Sequence, residues 1–213
     1  MKDVLLIADL HGQFGKIDSF LELNPEAVFI AGDITNMGPV DAVDDVLSRI
    51  DVPCFAVPGN CDPREILETL EHSDAVSLHG SRINLGKMSI VGIGGSNPTP
   101  FKTPFEMTDK QIDDILHGAI GKMEKTVHNI LISHAPPFET LDKVNGDHVG
   151  SASIRRHMKA FDLVCCAHIH DQRGVMDIEG VKVINPGPAM DGHCAMLHFG
   201  TEAKDIKVEL LTV

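Results

Sequence analysis

Val4-Leu5-Leu6-Ile7-Ala8-Asp9-Leu10-His11, Ala27-Val28-Phe29-Ile30-Ala31-Gly32-Asp33 and Cys54-Phe55-Ala56-Val57-Pro58-Gly59-Asn60-Cys61-Asp62 share one plan: a short apolar run that ends in polar side chains. Such runs, bounded by turn residues, read as strands buried on both faces. Helical patterns lie between them. Ile17, Phe20, Leu21 and Leu23 form a stripe after the first run, and a helix from about Val40 to Ile50 turns Val43, Val46, Leu47 and Ile50 inward. The order β-α-β-α-β implies parallel strands and right-handed crossovers, hence the α/β class.

Further along, the strands shorten. Ser81 to Leu85 and Met88 to Ile93 are joined by Gly86-Lys87, a hairpin signal. A loop rich in Gly, Pro and Thr runs from Gly94 to Phe105, and a helix capped by Thr108 or Asp109 follows to about Met123. Asn129 to Ser133 reads as a strand, Ser151 to Ala160 as a helix and Leu163 to Ala167 as a strand. Val181 to Ile184, Ala195 to Phe199 and Ile206 to Leu211 close the chain as β-structure, the last with Ile206, Val208 and Leu210 alternating against Lys207 and Glu209. With no repeat or linker, residues 1–213 are expected to form one domain.

The 213 residues carry 18 Lys plus Arg against 31 Asp plus Glu, a net charge of −13. That balance, with no basic cluster, argues against an extended nucleic-acid groove. A nucleotide substrate stays open, because cations held by carboxylates can meet a phosphate. The five cysteines are odd in number and two are adjacent, which suits a reducing compartment, so the cytoplasm is the expected location. No stretch approaches the roughly 18 apolar residues of a membrane span, and neither secretion nor membrane attachment is expected. Twelve histidines and no Trp or Tyr direct attention to metal chemistry.

The metal-type residues that stand out lie at the C-terminal ends of expected strands: Asp9 and His11, Asp33, Asn60 and Asp62, His134, then His168 and His170. In open α/β sheets the carboxyl ends of strands meet at one rim. Two cations need about four ligands each and a bridging carboxylate, which no single segment supplies.

The series Asp9-x-His11, Gly32-Asp33, Gly59-Asn60-x-Asp62, His134 and His168-x-His170 resembles the signature of the calcineurin-like metallophosphoesterases in order and spacing. The resemblance implies a four-layer α-β-β-α sandwich of two mixed sheets. It also implies two divalent metal ions, with Asp9, His11 and His170 on one, Asn60, His134 and His168 on the other, and Asp33 bridging. Manganese is the first expectation for the metal, and iron, nickel, zinc, cobalt or magnesium also suit such ligands. The activity implied is hydrolysis of a small phosphoester by a metal-bridging hydroxide, without a phosphoenzyme. Asp33, Asn60, Cys61 and Asp62 are the expected catalytic positions.

One position departs from the pattern. Most of the family has His after the Asn, and this chain has Cys61, a weak donor that carries no positive charge at neutral pH. A smaller branch of predicted phosphoesterases shares Gly-Asn-Cys-Asp and includes phosphodiesterases, so diesters are expected above monoesters, especially those whose leaving group departs unaided. A non-catalytic or highly specialised metal-binding scaffold on the same fold is the alternative, although such proteins typically lose ligands and every expected position is filled here.

Structural explanations stand beside these readings. Asp9 suits a helix N-cap, Asn60 a turn, and Asp62 an N-cap and supporting group for the helix near Pro63. Cys61 can be inert filler, a weak acid or a redox-sensitive thiol. Asn97 and His148 are candidate substrate contacts from overhanging loops, and so is Ser151 at a helix start, although a plain turn and a plain N-cap explain Asn97 and Ser151 as well. Asn185-Pro186-Gly187 is expected to shape the rim. His72, His79, His117, His128, His157 and His198 are assigned to surface or ordinary packing. Whether the chain forms a homo-oligomer stays open.

Overall fold

The computed structural model describes residues 1–121 and 125–213. In chain order the first half contains β1 (Asp3–Ile7), α1 (Ile17–Leu21), β2 (Ala27–Ala31), α2 (Val43–Leu47), β3 (Cys54–Val57), α3 (Ile66–His72), β4 (Val76–Ser77), β5 (Arg82–Leu85), β6 (Met88–Ile93) and α4 (Asp109–Ile120). The second contains β7 (His128–Ser133), β8 (Lys143–Val144), β9 (Asp147–His148), α5 (Ala152–His157), β10 (Leu163–Cys165), β11 (Gly174–Ile178), β12 (Val181–Asn185), β13 (His193–Phe199) and β14 (Ile206–Thr212).

Two six-stranded sheets form, in the orders β14-β13-β1-β2-β3-β4 and β11-β12-β10-β7-β6-β5. Each is mixed. β1 to β4 run parallel and β13 joins β1 antiparallel, while β6, β7, β10 and β12 run parallel between antiparallel edges.

Strand periodicity explains the layering. On β1, Val4 and Leu6 face the other sheet and join Ile130, Ile132, Leu163 and Cys165 in the central core. Leu5 and Ile7 face the opposite way, onto Ile17 and Phe20 of α1 and Val43, Val46 and Leu47 of α2. On the far sheet, Val91, Leu131 and Val164 pack under Ile112 and Leu116 of α4 and Ile154 of α5. The result is the α-β-β-α sandwich. Burial on both faces is why the central strands are uninterrupted apolar runs.

Several expected boundaries move. The helix expected from Val40 to Ile50 is only Val43–Leu47: its N-cap, Ala42, offers no capping group, and the Ser48 hydroxyl donates to the Asp45 carbonyl at the other end. Thr108, not Asp109, caps α4, in a capping box with Gln111. Gly121 closes that helix, and the expected end at Met123 lies outside the described residues. The helix expected from Ser151 to Ala160 is α5 followed by a 3₁₀ turn over Met158–Ala160. Cys166 and Ala167 fall outside β10, where a strand was expected from Leu163 to Ala167, although their amides still bond to Ile184 and His134. All five cysteines are free. Among the described residues, no helix is long and apolar enough to cross a membrane.

Candidate metal centre

Asp9 follows β1, Asp33 follows β2, Asn60 follows β3, His134 follows β7, and His168 and His170 follow β10. Backbone bonds hold these strand ends together: Asp9 N–H to the Gly32 carbonyl, His11 N–H to that of Asp33, and Ala167 N–H to that of His134. Asp9, His11, Asp33 and His168 all have left-handed backbones, with φ of 54°, 46°, 51° and 72°. Such conformations are uncommon outside glycine and concentrate at functional sites. The glycines in between are sterically required. A Cβ on Gly59 would lie 2.0 Å from Asp33 Oδ1, and one on Gly32, which has φ +93°, would lie 2.6 Å from His134 Nδ1.

Among the described residues, three groups of potential ligands converge within 4.8 Å: Asp9, His11 and His170; Asp9, Asp33 and His134; and His11, Asp33 and Cys61. Asp33 is common to two of them. Its Oδ2 lies 3.6 Å from His11 Nε2 and its Oδ1 lies 3.4 Å from His134 Nε2. His134 Nε2 is also 2.8 Å from Asn60 Oδ1, and His11 Nε2 is 3.3 Å from His170 Nε2. His168 is in none of these three groups; its ring packs edge to face against that of His134, with centroids 5.1 Å apart.

The electrostatics fit a cation. Asp9 is fully buried, and neither of its carboxylate oxygens has a hydrogen-bond partner. A buried carboxylate left in that state is costly unless positive charge compensates it. Burial opposes ionisation of Asp33, but His134, His11 and the Cys61 amide outweigh it and hold the carboxyl well below the usual range. Burial likewise opposes protonation of His134, yet Asp33 pushes it up to about 9. His134 Nε2, Asp33 Oδ1 and Asn60 Oδ1 thus face one another where the same three groups could hold a metal. His168 is held down to about 4, chiefly by burial and then by His134, so its ring is neutral and able to donate a lone pair.

Asp62 is not the N-cap expected of it, since α3 begins at Ile66 with Glu65 as N-cap. Its buried carboxylate instead accepts from the amides of Ile34, Thr35 and Gly59 and from the Thr35 hydroxyl, tying the loop after β2 to the loop after β3. Burial and neighbouring Asp33 raise it to about 6. Burial, then Asp33, also raises the Cys61 thiol well above its ordinary range. It stays protonated.

The expected substrate contacts separate. His148 lines a cavity of about 1150 Å³ together with Asn97, Phe101, His168 and His170. Asn97 also donates to the Val149 carbonyl at 3.0 Å, clasping the two loops that flank the cavity. Ser151 is not brought there: it is buried, caps α5 through the Ile154 amide, and is outside the cavity lining. Asn185 shapes the rim as expected, donating to the Ile169 carbonyl between the two histidines. Sequence reasoning passed over Thr103 and Glu106. Thr103 Oγ1 accepts from Asn60 Nδ2 at 3.0 Å and donates to Glu106, which also holds Thr99 and the Thr103 amide.

A family model described as calcineurin-like phosphoesterase matches residues 2–172. The chain belongs to the calcineurin-like phosphoesterase family. The calcineurin-like chain is also 35% identical over 193 residues to the uncharacterized protein MJ1162 of Methanocaldococcus jannaschii, covering 85% of this chain and 86% of that one. Among solved structures it is similar to TT1561 of Thermus thermophilus, at TM-score 0.74 and 17% identity over 98% of both chains. A structure described as a novel archaeal phosphodiesterase matches at TM-score 0.54 and 16% identity, over 98% of this chain and 99% of that one. These two likenesses concern the fold.

Proposed function

We propose that this phosphoesterase is a binuclear-metal enzyme that prefers small or nucleotide-like phosphodiesters. The observation that carries the reading is Asp33, whose two carboxylate oxygens face different histidines, His11 and His134, at 3.6 and 3.4 Å. Asp9, His11 and His170 with Asp33 would hold one ion, and Asn60, His134 and His168 with Asp33 the other. When bound, two divalent ions lower the pKa of a water and neutralise phosphoryl oxygens.

The chain's own residues prepare that chemistry. The Ala31 carbonyl accepts from His134 Nδ1 at 2.8 Å, which turns Nε2 towards Asp33 and Asn60. Asp62 fixes the spacing between the loops of Asp33 and Asn60. Cys61 adds no positive charge beside the phosphoryl group, which suits the single negative charge of a diester better than the two of a monoester. The fold relative described as a phosphodiesterase agrees with that direction.

The test is hydrolysis of bis(p-nitrophenyl) phosphate and p-nitrophenyl phosphate by chelator-stripped protein after adding back manganese, iron(II), nickel, zinc, cobalt or magnesium. Diester turnover restored by metal, and exceeding monoester turnover, is expected. Turnover that persists without metal, or in an Asp33→Asn variant, would overturn the proposal.

A further inference from the structure

The cavity beside the Asp33 cluster has a second wall, the β8–β9 hairpin, in which Lys143 pairs with His148 and Val144 with Asp147. At its root Asp142 is fully buried and its carboxylate is fully used. Oδ1 accepts from His148 Nδ1 at 2.6 Å and from the Thr140 amide at 3.0 Å, and Oδ2 accepts from the amides of Glu139 at 3.1 Å and Gly150 at 2.9 Å. Phe138 packs its ring edge to face with that of His148 at a centroid distance of 5.7 Å. The Asn97 amide clasps the hairpin from the opposite loop.

This is more order than a surface hairpin requires. A carboxylate on Nδ1–H fixes both the orientation and the tautomer of an imidazole, and leaves Nε2 as the nitrogen free to act. The His148 side chain is 28% exposed and borders the cavity that also contains His168 and His170. The other protic groups nearby are poorly suited to donate. Cys61 is outside the lining of this cavity, and Lys143 and Asp171 are exposed with no contact that orients them among the described residues.

We propose that His148, oriented by Asp142, is the proton donor to the leaving oxygen of the ester bound in this cavity. The inference rests on the phosphoesterase reading above. As the bond from phosphorus to the leaving oxygen breaks, its electron pair stays on that oxygen, which takes the proton from His148 Nε2 and departs as an alcohol or phenol. Water supplies the hydroxyl that remains on phosphorus and releases its other proton to solvent. His148 keeps Nδ1–H on Asp142 and regains its Nε2 proton from solvent. The charged and titratable groups facing His148 are Asp142 in contact, Lys143 across the hairpin, and His168, His170 and Asp171 on the opposite wall.

The test compares wild type with His148→Gln on aryl phosphodiesters whose leaving phenols become progressively less acidic, from p-nitrophenol to phenol. General acids contribute roughly 10² to 10⁴ in rate. His148→Gln should therefore lose about 100-fold or more on the phenyl ester and only about fivefold or less on the p-nitrophenyl ester, which steepens the leaving-group dependence. Equal losses across the series, or no loss, would overturn the inference while leaving the metallohydrolase intact. Metal-loaded wild type that hydrolyses no member would instead overturn the phosphoesterase reading, and this inference with it. A second readout needs no turnover: inorganic phosphate added to the metal-loaded protein should shift the ring-nitrogen NMR signals of His148. Unmoved signals at saturating phosphate would contradict contact with the ester.

Discussion

His134, at the end of β7 in one sheet, donates from Nδ1 to the carbonyl of Ala31, the last residue of β2 in the other sheet, at 2.8 Å. This contact, together with that of the Gly95 amide on the Pro58 carbonyl, joins the two sheets at their rims where Asp33 and Asn60 emerge, and it aims Nε2 into the space between them. Fold and candidate site are therefore coupled through one imidazole.

Replacing that ring tests the coupling. His134→Ala should lower the unfolding free energy by about 1–3 kcal/mol, the usual cost of a lost buried hydrogen bond with its partner left unsatisfied. It should also reduce bound metal from two ions to one and remove most of the diester turnover. Urea unfolding and metal analysis of the same preparation check both parts.

Thr103 acts on the site through Asn60. Its hydroxyl accepts the Asn60 amide and so keeps Asn60 Oδ1 turned towards His134. Thr103→Val removes the acceptor with little change in shape, and metal affinity should fall about 10- to 100-fold, the usual effect of losing a group that orients a ligand. Calorimetric metal titration is the check, with an unchanged circular dichroism spectrum expected.

Acid should loosen the root of the Gly94 loop. His79 Nδ1 accepts the Gly94 amide at 3.0 Å, which requires a neutral ring, and the ring packs on Phe105. Burial, then Arg64, lowers its pKa from 6.5 to about 4. A depressed folded-state pKa means that stability is fully present above pH 6.5 and is lost as the pH falls towards 4. Urea midpoints at pH 7 and pH 5 should differ less in His79→Gln than in wild type.

Gly59 should tolerate no side chain. The Cβ of an alanine would lie 2.0 Å from Asp33 Oδ1 and 2.2 Å from the Asp33 amide nitrogen, so the loop itself must move. Gly59→Ala should cost about 1–3 kcal/mol, in the range of overpacked sites. Metal binding should fall as well, measurable on the folded fraction by equilibrium dialysis.

β2, β3 and β6 coincide with the runs read from sequence because both faces of each strand are covered, so that each is an apolar run interrupted only by the buried Ser89 of β6. The cluster was legible for the same reason, as polar residues that directly follow such runs must emerge at one rim. The β8–β9 hairpin was not, since its strands are two residues long and mostly exposed. Thr103 was hidden in a loop, 43 positions from its partner Asn60. Asp142 looked like any loop acid. Its importance arises from burial and from the four donors that the folded chain brings to it.

In the proposed metal centre Asp33 stands between two metal ions. Crystals grown with manganese and measured above and below its absorption edge test this most directly. Two anomalous peaks are expected, one beside Asp9, His11 and His170 and one beside Asn60, His134 and His168, with a carboxylate oxygen of Asp33 on each. A single peak, or peaks away from Asp33, would contradict it.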